Sequence, residues 1–275
     1  MKCRFLLPMG TCAVLLFVAL SCFSFSMAQS AEKTKADDKK WTLMFDGEAL
    51  GGWAVSKLEI DKKPVIENGL LILGRNGMAS GVKYENYFPK SNYEIMYQAK
   101  RAKGYDFFGA LTFPVKESHC SFINGGWGGF VTGISSINGY DASENETTGF
   151  YDFKTDQWYQ FRVRVCDERI TVWFYPIDDP TLTDDEKAER EAEKTKKTDP
   201  KEEAEKREEI ENPKINLELE DKELSTRIEV SPYRPLGLTT WETEGYLRDI
   251  KFRELDAAEI EAIKNEIIKK SEPEA

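Results

Sequence analysis

The sequence predicts an all-β sandwich, and three observations carry that expectation. Over residues 41–175, short runs rich in Val, Ile, Phe, Tyr and Trp are separated by turn sequences such as Glu67-Asn68-Gly69, Lys103-Gly104 and Thr155-Asp156-Gln157. Within several runs the apolar residues alternate: Leu111, Phe113 and Val115; Phe161, Val163 and Val165; Ile170, Val172 and Phe174. That period buries one face of an antiparallel sheet and wets the other. The pattern then resumes after a charged interruption, in residues 215–219, 225–230, 236–241 and 246–255, so the interruption lies inside one domain.

At the N-terminus, Lys2 and Arg4 precede an apolar stretch, and Ser26-Met27-Ala28 places small residues before Gln29. This reads as a signal peptide over 1–28, implying an exported, periplasmic or extracellular protein, with 29–40 as a flexible linker. The apolar stretch is too short for a permanent membrane span. A rival reading takes Ala19-Leu20-Ser21-Cys22 as a lipoprotein box that leaves Cys22 lipidated.

The first strand signal is the run from Trp41 to Trp53, in which Asp46-Gly47 supplies a tight turn and Leu43, Phe45, Leu50 and Trp53 anchor its arms. Trp158 and Trp173 lie in apolar patterns and are expected in the core. Residues 178–213 lose every strand signal and fill with Asp, Glu, Lys, Arg and Ala, which cannot pack a core and favours a solvated, charged helical insertion. Asp256-Ala257-Ala258-Glu259 has the form of a capping box, and Ile260, Ile263, Ile267 and Ile268 follow at helical spacing. An amphipathic helix over 256–275 is therefore expected to pack on the sandwich. Once a signal peptide is removed, Cys120 and Cys166 are left, as one disulfide or as two buried thiols. The net charge of -11 argues against nucleic acid or an anionic membrane as partner, since both require clustered cations. Oligomeric state is not legible.

Specific motifs go further. The Phe45-Asp46-Gly47 turn followed by Leu50, Gly51, Gly52 and Trp53, the run Phe107-Phe108-Gly109-Ala110-Leu111-Thr112-Phe113, the pair Gln157-Trp158-Tyr159-Gln160-Phe161 and Arg169-Ile170-Thr171-Val172-Trp173, and the closing Leu236-Gly237-Leu238 and Leu247-Arg248-Asp249-Ile250 together resemble the 3-keto-disaccharide hydrolase family, also described as 3-keto-glucoside 1,2-lyases and 3-keto-2-hydroxyglucal hydratases. The resemblance spans roughly residues 41–255. It implies a concanavalin A-like jelly roll with ligands on the concave face of one sheet, and an oxidised disaccharide or glycoside as partner. Between Ser118 and Thr148 the chain departs from the family pattern, so substrate details do not transfer there.

Cleaving a 3-keto-glycoside by elimination needs a base for the C2 proton and a donor near the enolate oxygen. His119, the single histidine, is the first candidate for base or metal ligand; on a strand it would face away from Cys120 and Phe122. A histidine bonded to a loop carbonyl is the bland alternative. Asp141, Glu144 and Glu146 surround Tyr140 and Asn145 in one loop. These oxygens could supply an acid and a base, here Asp141 and Glu146, or hold a divalent metal through Glu144; a solvated turn is the alternative. Asn124 and Trp127 in a glycine-rich stretch, with Tyr140, Trp241 and Arg75, form the expected sugar-binding set, because indoles stack on sugar C–H faces; a glycine-rich strand crossing with Trp127 in the core is the equal alternative. Lys83 is a further cation that could stabilise an enolate. The rival to an enzyme is a non-catalytic, lectin-like carbohydrate-binding module, since sandwiches host both.

Overall fold

In the computed structural model, which describes residues 41–55, 63–75, 79–179, 208 and 210–271, the chain turns where the sequence marks turns: Asn68, Gly69, Gly104 and Asp156 all take positive φ. The expected signal peptide with Cys22, the linker and most of the acidic insertion lie outside the described residues; of the insertion's expected helix only Glu208, Ile210 and Glu211 are described, and they are helical.

The strands in chain order are β1 (Thr42–Leu43), β2 (Trp53–Val55), β3 (Val65–Glu67), β4 (Leu70–Leu73), β5 (Ala79–Tyr84), β6 (Tyr93–Gly104), β7 (Phe108–Val115), β8 (Ser118–Gly126), β9 (Val131–Ser135), β10 (Gly149–Phe150), β11 (Trp158–Cys166), β12 (Arg169–Ile177), β13 (Ile215–Glu218), β14 (Leu236–Trp241) and β15 (Thr243–Glu254), followed by helix α1 (Ala257–Ser271). They form two antiparallel sheets. One has eight strands in the order β13-β12-β11-β6-β15-β4-β3, with β1 also on β15; the other has seven, β10-β9-β8-β7-β14-β5-β2. β12 and β13, which flank the acidic segment in sequence, pair with each other.

Alternation decides what fills the sandwich. Tyr97 and Phe161, opposed across β6 and β11, stack at 5.1 Å, and Phe108 and Phe122 of the seven-stranded sheet meet Phe161 and Phe174 at 6.0–6.1 Å. These rings are almost fully buried; burying each contributes about 2–3 kcal/mol, and the rings give the core its shape. Phe45 and Trp53 join this core, with the indole N–H of Trp53 donating to Met44 O at 3.0 Å.

Several expectations need correction. Leu43 is 58% exposed, because β1 is a two-residue strand on the outside of β15. Trp173 is not a core residue but lies on the outer face under the guanidinium groups of Arg162 (4.8 Å) and Arg164 (5.1 Å). Residues 225–230 form no strand; they cross the outer face of the seven-stranded sheet as a loop. Cys120 and Cys166 are both free and buried. Cys120 packs in the main core whereas Cys166 packs with Leu255 and Ile263 beneath α1, so the pair is split between two clusters and forms no disulfide.

The capping box is present: Glu259 N–H donates to Asp256 Oδ1 at 2.9 Å and Asp256 N–H to Glu259 Oε2 at 3.0 Å. Glu259 also receives Arg253 at 2.7 and 2.9 Å. Arg253 in turn joins Arg162 and Arg164 around the fully buried carboxylate of Glu94. Burial alone would raise the Glu94 pKa, but the three guanidinium groups overcome it and hold the carboxyl below its ordinary range. No helix of the described residues is long and apolar enough to cross a membrane.

Candidate active site

On the outer face of the seven-stranded sheet, a cleft of about 220 Å³ is lined by Asp106, Trp127, Arg227, Glu229, Trp241 and the apolar side chains of Phe107, Ile123 and Val230. It is built where three connections converge at one end of β7, β8 and β14. The alternation that sends Phe122 inward sends Ile123 outward, against Ala110, Ala142 and Phe107.

Asp106 stands in the connection between β6 and β7. Its backbone N–H donates to Thr243 Oγ1 at 2.9 Å, its Oδ1 accepts from Phe107 N–H at 2.8 Å and its Oδ2 from Gly128 N–H at 3.2 Å. Burial pushes this carboxyl above the ordinary carboxylate range; the two N–H groups and Arg101 pull it back, and Glu242 adds to the rise. Arg101 is itself buried and donates to Gly129 O at 3.4 Å and to Phe153 O. It therefore fixes the turn carrying Trp127 from behind. Gly129 takes φ +118°, and a Cβ there would meet Tyr105 O at 2.9 Å, so only glycine lets the two connections approach. Trp127 itself takes φ +50° and is 40% exposed.

The third connection carries Arg227 and Glu229. It is held over the sheet because Ser136 N–H donates to Ser225 O (2.6 Å), Ser225 N–H to Ser136 O (3.1 Å) and Asn138 N–H to Glu223 O (2.7 Å). Arg227 lies 5.7 Å from the ring centre of Trp127. Its Nε and Nη2 donate to Glu229 at 3.2 and 3.0 Å, and its Nη1 to Asp141 Oδ2. Those hydrogen bonds hold Glu229 below the ordinary carboxylate range. Asp141 Oδ1 accepts from Ser135 and Ser136 hydroxyls at 3.3 and 3.2 Å.

The structure thus brings together Trp127 and Trp241 in one cleft, with Asp141 one bond behind it through Arg227. Arg75 stands at its margin, 3.6 Å from Glu242 and 5.9 Å from the Tyr105 ring centre. Other expected members are elsewhere. Asn124 points into the interior beside Phe122 and donates to Phe108 O at 2.8 Å, because it shares the parity of the core residues on β8. His119 does face outward, but it precedes Ile123 by four residues, about 13 Å along a strand. Its neighbours there are Lys90, Glu117 and Arg234, and burial with the two cations lowers its pKa, so the imidazole is neutral near pH 7. Glu146 pairs with Lys222 at 2.6 Å on the rim of a different, polar groove. The expected grouping of His119, Asp141 and Glu146 is therefore not assembled. Tyr140 is 59% exposed and outside the cleft lining, and Lys83 pairs with Glu85 at 3.3 Å. Asn145 staples its loop, donating to Ile134 O and Asp141 O at 2.8 Å and accepting from Thr147. Glu144 is exposed, and among the described residues no group of three His, Cys, Asp or Glu side chains could hold a metal ion, so the metal expected there has no assembled site among them.

Sequence reasoning passed over Asp106, Arg227 and Glu229. Asp106 sits in a Gly-Tyr-Asp turn signature where aspartate ordinarily caps a turn, and the other two lie in a run that alternates like a strand.

Comparison with known proteins finds distant similarities and one family match. Among solved structures, similarity is found to the Crh5 transglycosylase in complex with NAG (11% identity, 78% of this chain and 84% of that one, TM-score 0.47). It is also found to a glycosyl hydrolase family protein from Mycobacterium fortuitum (9% identity, 77% and 97%, TM-score 0.40) and to a glycosyl hydrolase family 16 protein from Mycobacterium smegmatis (9% identity, 77% and 98%, TM-score 0.40). Likeness at this level does not bear on substrate or reaction. Among curated proteins none matches the chain. The model of the 3-keto-alpha-glucoside-1,2-lyase-like domain matches residues 40–253, most of the chain, and the protein belongs to that carbohydrate-active family.

Proposed function

We propose that the protein is an exported enzyme that cleaves 3-keto-glycosides by elimination across C1 and C2, with Asp106 as the proton-transferring group. The ketone at C3 acidifies the hydrogen on C2. Its removal moves one proton to the Asp106 carboxylate and leaves an enolate; the enolate electrons then form the C1–C2 double bond as the C1–O bond breaks, and the departing oxygen takes up a proton. Addition of water across the new double bond completes hydrolysis.

The observation that carries this reading is a half-buried carboxyl of raised pKa in an apolar cleft walled by two indoles. A base works best when its pKa lies near the operating pH, and the rise moves Asp106 that way. Trp127 and Trp241 supply faces for the apolar side of a pyranose ring. Arg227 has five N–H groups, of which three are taken by Glu229 and Asp141; the others are free to donate to a ketone or enolate oxygen. The total charge of the cleft does not change in this step, because Asp106 becomes neutral as the enolate becomes negative.

The test is incubation of the purified protein with a 3-keto-glucoside while release of the C1 substituent is followed. Turnover that Asp106→Asn abolishes, with sugar binding retained, is the expected result. Binding of sugars without turnover of any 3-keto-glycoside, with or without added divalent metal, would make the protein a lectin-like module instead.

A further inference from the structure

We infer that the cleft selects uncharged sugars and excludes those bearing a carboxylate, so that glucosides are ligands and glucuronides are not. The inference rests on the reading of this cleft as the sugar site, but not on the reaction assigned to it.

An acidic sugar is held in proteins by a cation whose charge is free to meet it. Here the charge of each arginine near the cleft is already offset by carboxylates or buried behind the cleft wall. Arg227 is clasped through two donors by Glu229 and through a third by Asp141, so this trio carries one negative charge in excess. Arg101 is buried behind the Trp127 turn and points its donors at the carbonyls of Gly129 and Phe153. Arg75 pairs with Glu242. A carboxylate on the ligand would find no cation with charge left over for it, because the two N–H groups still open on Arg227 belong to a trio that is negative overall, and it would lie beside Asp106 and Glu229, both of which line the cleft.

The walls make the exclusion stronger. Phe107, Ile123, Trp127, Val230 and Trp241 present apolar surface, and an unpaired charge drawn from water into such a place is costly. A hydroxymethyl group at the same position loses little, since it hydrogen-bonds without charge. The volume of about 220 Å³ equals roughly seven waters of liquid volume, room for about one sugar ring, so a ligand carboxylate on that ring cannot stand far from the carboxyl groups.

The same geometry states how to reverse the preference. Removing the charge of Glu229 while keeping its shape leaves Arg227 with one carboxylate in place of two, and an acidic sugar can then take the vacated partner. The experiment measures binding of methyl α-D-glucoside and methyl α-D-glucuronide by quenching of tryptophan fluorescence at low ionic strength, and turnover of their 3-keto forms, for the wild type and for Glu229→Gln and Asp141→Asn. The wild type should bind the glucoside at least tenfold more tightly than the glucuronide. At least one variant that melts like the wild type should narrow that ratio to threefold or less, mainly by gaining affinity for the glucuronide. Equal wild-type affinities, or an unchanged ratio in both folded variants, would overturn the inference. Discrimination in binding without turnover of either 3-keto-sugar would leave it standing and remove the enzymatic reading, whereas turnover of both 3-keto-sugars at equal efficiency would remove the inference alone.

Discussion

Gly128 donates its backbone N–H to Asp106 at 3.2 Å, which ties the carboxyl between β6 and β7 to the turn that carries Trp127. Two features that belong to separate connections are thereby set in one geometry. In the proposed reaction this bond would set the proton acceptor, Asp106, beside the indole that holds the ring, Trp127.

Replacing Trp127 by alanine should weaken sugar binding by roughly tenfold to a hundredfold, the worth of about 1–3 kcal/mol for a lost stacking face. Catalysis at saturation should fall much less. Trp241→Ala should act in the same direction. The measurement is KM and kcat for a 3-keto-glucoside in each variant; a fall in kcat with KM unchanged would place the indoles in the wrong role.

His119→Ala should keep more than a third of wild-type turnover, because the imidazole stands about four residues from the cleft lining along β8, some 13 Å, beside Lys90 and Arg234. A loss of a hundredfold or more in a variant that still folds would return the histidine to the reaction.

Glu94→Ala should destabilise the fold by about 3–5 kcal/mol, since it leaves three guanidinium groups around a site that held a buried carboxylate. For a domain of this size that lowers Tm by about 10 °C. The Glu94 pKa is depressed in the folded protein, so its contribution is present above the unfolded carboxyl pKa of about 4.3 and fades as pH falls below it. Thermal melts of both proteins from pH 7 to pH 3 check this: the gap between them should shrink in acid.

Cys120 and Cys166 should fail to react with a thiol reagent in the folded protein and should both react once it is unfolded without reductant. Both are fully buried and free, and burial raises the pKa of the Cys120 thiol further. Peptide mapping of the modified chain would show it; a Cys120–Cys166 crosslinked peptide would contradict the separation of the two residues into different clusters.

Much of the fold was legible because alternation and turn chemistry are local signals. Asn68-Gly69 and Gly104 turn where their sequence says, Phe161, Val163 and Val165 face the core, and Asp256 with Glu259 caps its helix. The failures share a cause. Residues 225–230 alternate like a strand, yet the seven-stranded sheet is already paired at β14 with β5 and β7, so they lie across it as a loop. Trp173 has the pattern of a core residue but stands on the outer face, where two arginines cover it. At the site, the two candidate indoles Trp127 and Trp241 were visible as residues, but the carboxyl that shares their cleft was not. Asp106 owes its raised pKa to burial in the cleft, with Glu242 from the β14–β15 connection adding to it, and no stretch of neighbouring sequence encodes that.

The central claim is that Asp106 transfers the proton, and the most direct measurement is kcat/KM for a 3-keto-glucoside as a function of pH in the wild type and in Asp106→Asn. In the wild type the rate should rise with pH through a pKa above the ordinary carboxylate range, because the group acts as a base only once ionised and burial raises its pKa. The Asn variant should lose that limb and on the order of 10² or more in rate, and it should fold with a Tm lower by roughly a few degrees, because its amide keeps one acceptor oxygen and leaves either Phe107 or Gly128 N–H without a partner. A variant that retains wild-type turnover and the same acid limb would contradict the account.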